Sequence, residues 1–125
     1  MVRRRQRLAA IALVASLWQA AASAGDFICE AATTSAEMRA CANQRYREAD
    51  AALNAIYQRL TAQLPARRRE RLRAAQQAWI AFRDRNASFI ASAVEQGTQY
   101  PILEVSALAH MTEQRAEELE QLLDD

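Results

Sequence analysis

Apolar residues recur with a helical period over most of the chain. After "TSAE" they fall at Met38, Cys41, Ala49, Leu53, Ile56, Leu60 and Leu64, mostly three or four apart, which draws one buried stripe along a first helix. Thr34 stands where it can cap the free N–H groups, and Glu37 follows three residues later to complete a capping box. Pro65 ends this helix and supplies the first residue of the next. The second stripe runs Leu72, Ala75, Trp79, Phe82, Phe89 and Ala93, with Asn86 interrupting it and Gly97 closing the helix. After the connection "GTQYP", a third helix carries Val105, Leu108, Thr112, Arg115, Leu119 and Leu122 on one face, with acidic residues elsewhere.

Long helices joined by two short connections must fold back on one another. The pattern predicts an all-α fold, an up-down-up bundle of three helices with an N-terminal disulfide staple. The scarcity of glycine and proline after residue 24 (Gly25, Gly97, Pro65 and Pro101) agrees with it.

The N-terminus belongs to a different class. "MVRRRQR" is a basic n-region, "LAAIALVASLWQAAA" an uncharged apolar run, and "ASA" at Ala22–Ala24 a small-x-small cleavage pattern. Residues 1–24 are therefore expected to be a secretory signal peptide, and residues 25–125 a single domain that is periplasmic or secreted, with no stable membrane anchor after cleavage. Removing Arg3, Arg4, Arg5 and Arg7 leaves 12 Arg against 15 acidic residues, a net charge of −3. That sign argues against a nucleic-acid partner. The run "ARRRERLR" has no interleaved aromatic residues and reads as a solvated helix start. Cys29 and Cys41 both lie in the exported part, and an even pair across a short loop in an oxidising compartment reads as a disulfide.

Catalytic chemistry is sparse. His110 is the only histidine, on the last helix beside Met111, and a disulfide leaves no thiolate. Two cysteines and one distant histidine make no metal site, and CxxCH for haem is absent. The chain is expected to be a non-enzyme without metal or cofactor.

The stretch "AQQAWIAFRDRNASF", from Ala75 to Phe89, gathers Trp79, Arg83, Asp84 and Asn86 on one helix. Trp79, Phe82, Asn86 and Phe89 would pack on Leu53, Ile56, Tyr57 and Leu60. Arg83 would reach Asn54, Tyr57 or a carboxylate such as Asp50, and Asp84 would pair with an arginine or face solvent. Large aromatics at this spacing favour a structural seam over an active site.

Four segments in order, "CEAATTSAEMRACANQRYREAD", "LNAIYQRL", "AQQAWIAFRD" and "LAHMTEQRAEEL", resemble the LprI-type lysozyme inhibitor domain family from Cys29 to about Leu119. The resemblance implies a disulfide-stapled helical domain whose motif residues Leu53, Asn54, Tyr57, Gln76, Trp79, Arg83, Asp84, Thr112 and Arg115 are structural. It also implies a protein partner, a lysozyme or another cell-wall hydrolase. Where the family typically carries a second pair of cysteines, this chain has Ala87 and Ala107. Their joint replacement predicts that the two positions face each other across helices two and three, and that the loop between them is less tethered.

Animal-type lysozymes are strongly basic and work with two carboxylates in a cleft. An inhibitor should bring negative charge to steer association and a protruding segment to block that cleft. Glu95, Gln96, Gly97, Thr98, Gln99 and Tyr100 form the candidate inhibitory loop, with Tyr100 as anchor. The alternatives are an immunity-type inhibitor of another cell-wall hydrolase and a non-catalytic envelope interaction module.

Overall fold

The computed structural model describes residues 29–123, so the signal segment at 1–24 lies outside the described residues. Three helices make up the described chain: α1 (Ser35–Gln63), α2 (Ala66–Ala91) and α3 (Gln99–Gln121), with a short 3₁₀ turn at Ser92–Val94. They run up, down and up, and the expected all-α bundle is observed.

The ends of α1 follow from local chemistry. The Glu37 N–H donates to Thr34 Oγ1 at 3.2 Å, while the Glu37 carboxylate accepts from the Thr33 and Thr34 N–H groups at 2.9 and 3.1 Å. This is the capping box, and its backbone N–H donors hold the Glu37 carboxyl below the usual glutamate range. At the other end Leu64 is extended (ψ 141°), as a residue preceding proline prefers. Pro65 is the N-cap of α2 (φ −65°, ψ 155°), one position before the helix rather than its first residue.

The core forms where Leu53, Ile56 and Leu60 of α1 meet Ala116 and Leu119 of α3, with Tyr57, Leu64, Leu72, Trp79 and Leu123 packed around them. Helix α3 is the central element. It lies closest to α1 and next closest to α2, while the α1 and α2 backbones stay apart. Small buried residues, Ala42 and Ala49 on α1 and Ala109 and Ala116 on α3, permit the close approach. Arg45 reinforces it, donating from Nε and Nη2 to the two carboxylate oxygens of Glu113 at 2.7 and 2.5 Å.

The stripe on α2 needs correction. Phe82 and Phe89 are 59% and 74% exposed, and neither packs on α1. The inward face instead reads Leu72, Gln76, Trp79, Arg83, Ala87 and Ala91, of which the last three are buried. A helix rotates about 100° per residue, so this face lies roughly a third of a turn from the two phenylalanines. Hydrophobicity pointed to the wrong side because the true stripe contains a glutamine and an arginine. On α3 the buried set is Ala109, Thr112, Ala116 and Leu119. Val105, Leu108 and Arg115 are only half-buried, and Leu122 is 47% exposed while Leu123 packs on the core.

Helix α2 also stops earlier than expected, at Ala91, and Ala93 is exposed in the 3₁₀ turn. Gly97 does not close the helix but turns the connection before α3, with φ +146°, a conformation that side-chain-bearing residues rarely adopt. Cys29, ahead of α1, is joined as expected to Cys41 within it, with their Cα atoms 5.3 Å apart.

Replacing both cysteines by alanine should lower stability to denaturant by about 2–4 kcal/mol through the freed lead-in. The helical circular dichroism should persist, because the Leu53–Leu119 core is untouched. An unchanged denaturation midpoint would show that the staple contributes nothing.

Candidate functional site

The residues of "AQQAWIAFRD" build a seam that joins all three helices. Trp79 is half-buried, with the Arg83 guanidinium 5.2 Å from its ring centroid and that of Arg115 on α3 at 6.0 Å. Arg83 also lies over the Tyr46 ring of α1, at 5.5 Å. Arg115 donates from Nε to Gln76 Oε1 at 3.1 Å and from Nη1 to Glu118 at 2.9 Å. Cation–π contacts of this kind contribute most when water is excluded, and Arg83 is only 7% exposed.

Arg83 pairs with a carboxylate, that of Asp84 rather than Asp50. Its Nε and Nη2 reach Asp84 Oδ1 at 2.9 and 2.8 Å, the acid next to it in sequence, whose side chain is 56% exposed. Asn54 is exposed and donates to Asp50. Tyr57 is half-buried beside the core, and Leu53 is fully inside it. Thr112 is completely buried, its hydroxyl returning to the Leu108 carbonyl at 2.6 Å. Leu53, Gln76, Trp79, Arg83, Thr112 and Arg115 thus lie within or along the interior, while Asn54 and Asp84 stay outside.

Tyr46 is the seam residue that the sequence reading missed. It continues the buried series Ala42, Ala49, Leu53 at helical spacing, and that spacing was the available signal. Burial raises its hydroxyl pKa above the usual tyrosine value; the Arg83 charge opposes this, and Asp50 and Asp84 add to it. The Arg45–Glu113 pair was missed as well, since nothing in sequence links positions 68 residues apart.

The candidate loop is shorter than its sequence suggested. Glu95, Gln96, Gly97 and Thr98 are exposed in the connection, whereas Gln99, Tyr100 and Pro101 form the first turn of α3. Tyr100 is half-buried rather than protruding. Its hydroxyl lies 3.1 Å from Ser88 Oγ on α2 and 3.4 Å from Glu104 on α3. Two positions earlier on α2, Asn86 Nδ2 contacts Met111 Sδ at 3.3 Å. Ala87, fully buried, sits between these two cross-links, and Ala107 is half-buried on the facing helix.

The larger hollows lie elsewhere. One of about 380 Å³ is floored by Leu60, Leu64, Leu72 and Leu122 with Arg68 and Arg71 at its rim. Another of about 440 Å³ opens beside the disulfide and Arg45. His110 is exposed on α3 and lines neither. No three of the described His, Cys, Asp and Glu side chains converge as a metal-binding group, and no described helix is long and apolar enough to cross a membrane.

The family model for the lysozyme inhibitor LprI matches residues 29–119, which span the disulfide and nearly all of the three helices. The chain belongs to the LprI lysozyme inhibitor family. It is also similar to the protein R02472 of Rhizobium meliloti (strain 1021), described as uncharacterized, with 31% identity over 109 residues covering 77% of this chain and 78% of the relative. No solved structure matches it significantly.

Two outcomes follow for the seam and its neighbour. Arg83→Ala should cost about 2–3 kcal/mol, since it removes the stem packed on Trp79 and Tyr46, while Arg83→Met should be near neutral, because it relieves a buried charge. Chemical denaturation of both variants checks this; equal losses would mean that the charge itself holds the seam. The second outcome concerns pH. Bonding to Arg45 is the main cause that lowers the Glu113 carboxyl below its ordinary 4.5. A depressed carboxyl contributes stability above its unfolded value and loses it as pH falls through the folded value. Melting temperature should therefore decline below about pH 4.5, and less steeply in Glu113→Gln; parallel profiles would remove Glu113 from the acid response.

Proposed function

We propose that the chain is an exported inhibitor of lysozyme that protects the bacterial cell wall, acting in the periplasm or outside the cell. The observation that carries this reading is the family match across the whole stapled bundle. The Cys29–Cys41 disulfide supports export, since such bonds persist in oxidising compartments.

The inhibitory contact is assigned to the α2–α3 connection. Glu95 to Thr98 project from the end of the bundle, and Gly97 gives the turn its backbone conformation. The Tyr100 hydroxyl, between Ser88 and Glu104, fixes the base of this turn, so it acts by positioning the loop rather than by entering a cleft. Glu95 brings a carboxylate to the tip, which suits a basic enzyme. A protruding turn on a rigid bundle occupies the cleft at little ordering cost.

The test is titration of the oxidised chain from Gly25 against c-type, g-type and phage-type lysozymes in a cell-wall lysis assay. Saturable inhibition of one class is expected. Tyr100→Ala should raise the inhibition constant about tenfold, equivalent to roughly 1.4 kcal/mol, with Glu95→Arg acting in the same direction. Inhibition that neither variant alters would move the contact off this loop. A folded helical sample that inhibits none of the three classes would overturn the reading.

A further inference from the structure

The two phenylalanines that α2 turns outward are unexplained by the core or by the inhibitory loop. Phe82 and Phe89 are the most exposed large hydrophobic side chains among the described residues. They stand seven positions apart, two helical turns or about 10 Å, on one line of the helix surface. Arg71, Ala75, Ala78 and Arg85 continue that line and are exposed too. Neither arginine takes part in an ion pair among the described residues. Of the two acids on α2, Asp84 is bonded to Arg83, and Glu70 lies about 100° off the line. The result is an apolar ridge edged only by positive charge.

Its shape and charge select an occupant. Neither phenylalanine lines either of the hollows described, though Arg71 stands at the rim of the one floored by Leu60, Leu64, Leu72 and Leu122. A second copy pairing antiparallel about Ala78 would set Arg71 of one chain against Arg85 of the other, and a parallel pair would oppose like arginines throughout. A basic enzyme meets the same repulsion, so the ridge is separate from the proposed lysozyme contact. A flat anionic surface satisfies both components. Phenylalanine rings insert at the headgroup boundary, and long arginine stems lie along it with their charges among lipid phosphates.

We propose that the outer face of α2 docks the protein reversibly on an anionic phospholipid membrane through Phe82, Phe89, Arg71 and Arg85. Such docking would hold an exported protein at the envelope without a spanning helix.

The experiment is co-sedimentation of the oxidised chain from Gly25, which contains every described helix, with vesicles of phosphatidylglycerol and phosphatidylcholine or of phosphatidylcholine alone. Binding is expected to the anionic vesicles, reversed by salt and weak on the zwitterionic ones. Phe82→Ser/Phe89→Ser and Arg71→Glu/Arg85→Glu should each lower partitioning about tenfold or more, with unchanged helical circular dichroism because all four side chains are exposed. Absence of binding to anionic vesicles, or binding that neither double variant reduces, overturns the proposal. So does a dimer in analytical ultracentrifugation that the serine variant abolishes, which would make the occupant a second copy. Binding of an acidic amphipathic peptide in place of vesicles would likewise overturn it. Lysozyme inhibition by the serine variant should match that of the parent chain; its loss would put the ridge in the enzyme contact instead.

Discussion

The close approach of α1 and α3 is the constraint on which the other features depend. Alanines at 42, 49, 109 and 116 let the two helices come together, and Leu53, Leu60 and Leu119 fill the space between them. Arg45 and Glu113 clamp the same pair from outside. Once α3 is pressed on α1, α2 must find its place along their flank and cannot approach α1 as closely. Bulk is needed there, and Trp79 and Arg83 provide it by reaching across to Tyr46 and to Arg115.

A buried arginine is a costly way to fill such a space. Its charge is balanced by one exposed carboxylate and two aromatic faces, a partial compensation for lost hydration. What it provides is direction. A guanidinium is planar and stacks on aromatic rings in defined geometries, which a methylene chain does not do. The α2 register set in this way also sets the far end of the bundle, where Ser88 meets Tyr100 and the exposed turn of Glu95 to Thr98 begins.

The rotation of α2 has a second consequence. With Arg83, Ala87 and Ala91 inward, Phe82 and Phe89 are carried to the surface beside arginines that form no ion pair among the described residues. Helix α2 carries seven arginines against two acids and α3 five acids against one arginine, so the two helices present different charges to solvent. The contacts proposed with a basic enzyme and with an anionic membrane thereby call on different surfaces of one small bundle.

The sequence by itself determined the three helices, the capping box at Thr34, the break at Pro65 and the Cys29–Cys41 bond. These are local or nearly local events, governed by side-chain reach over a few residues and by the period of the α1 stripe. Membership of the LprI family was legible too, in the order of four short segments. Tertiary structure alone decided which face of α2 is inside. There a tryptophan, a glutamine and an arginine bury against neighbours from other helices, and no periodicity of hydrophobic residues marks such a face. It also decided that Tyr100 braces the turn rather than protruding from it, because the position of its hydroxyl depends on Ser88 of the preceding helix. Pairings of this kind exist only after distant parts of the chain have been brought together.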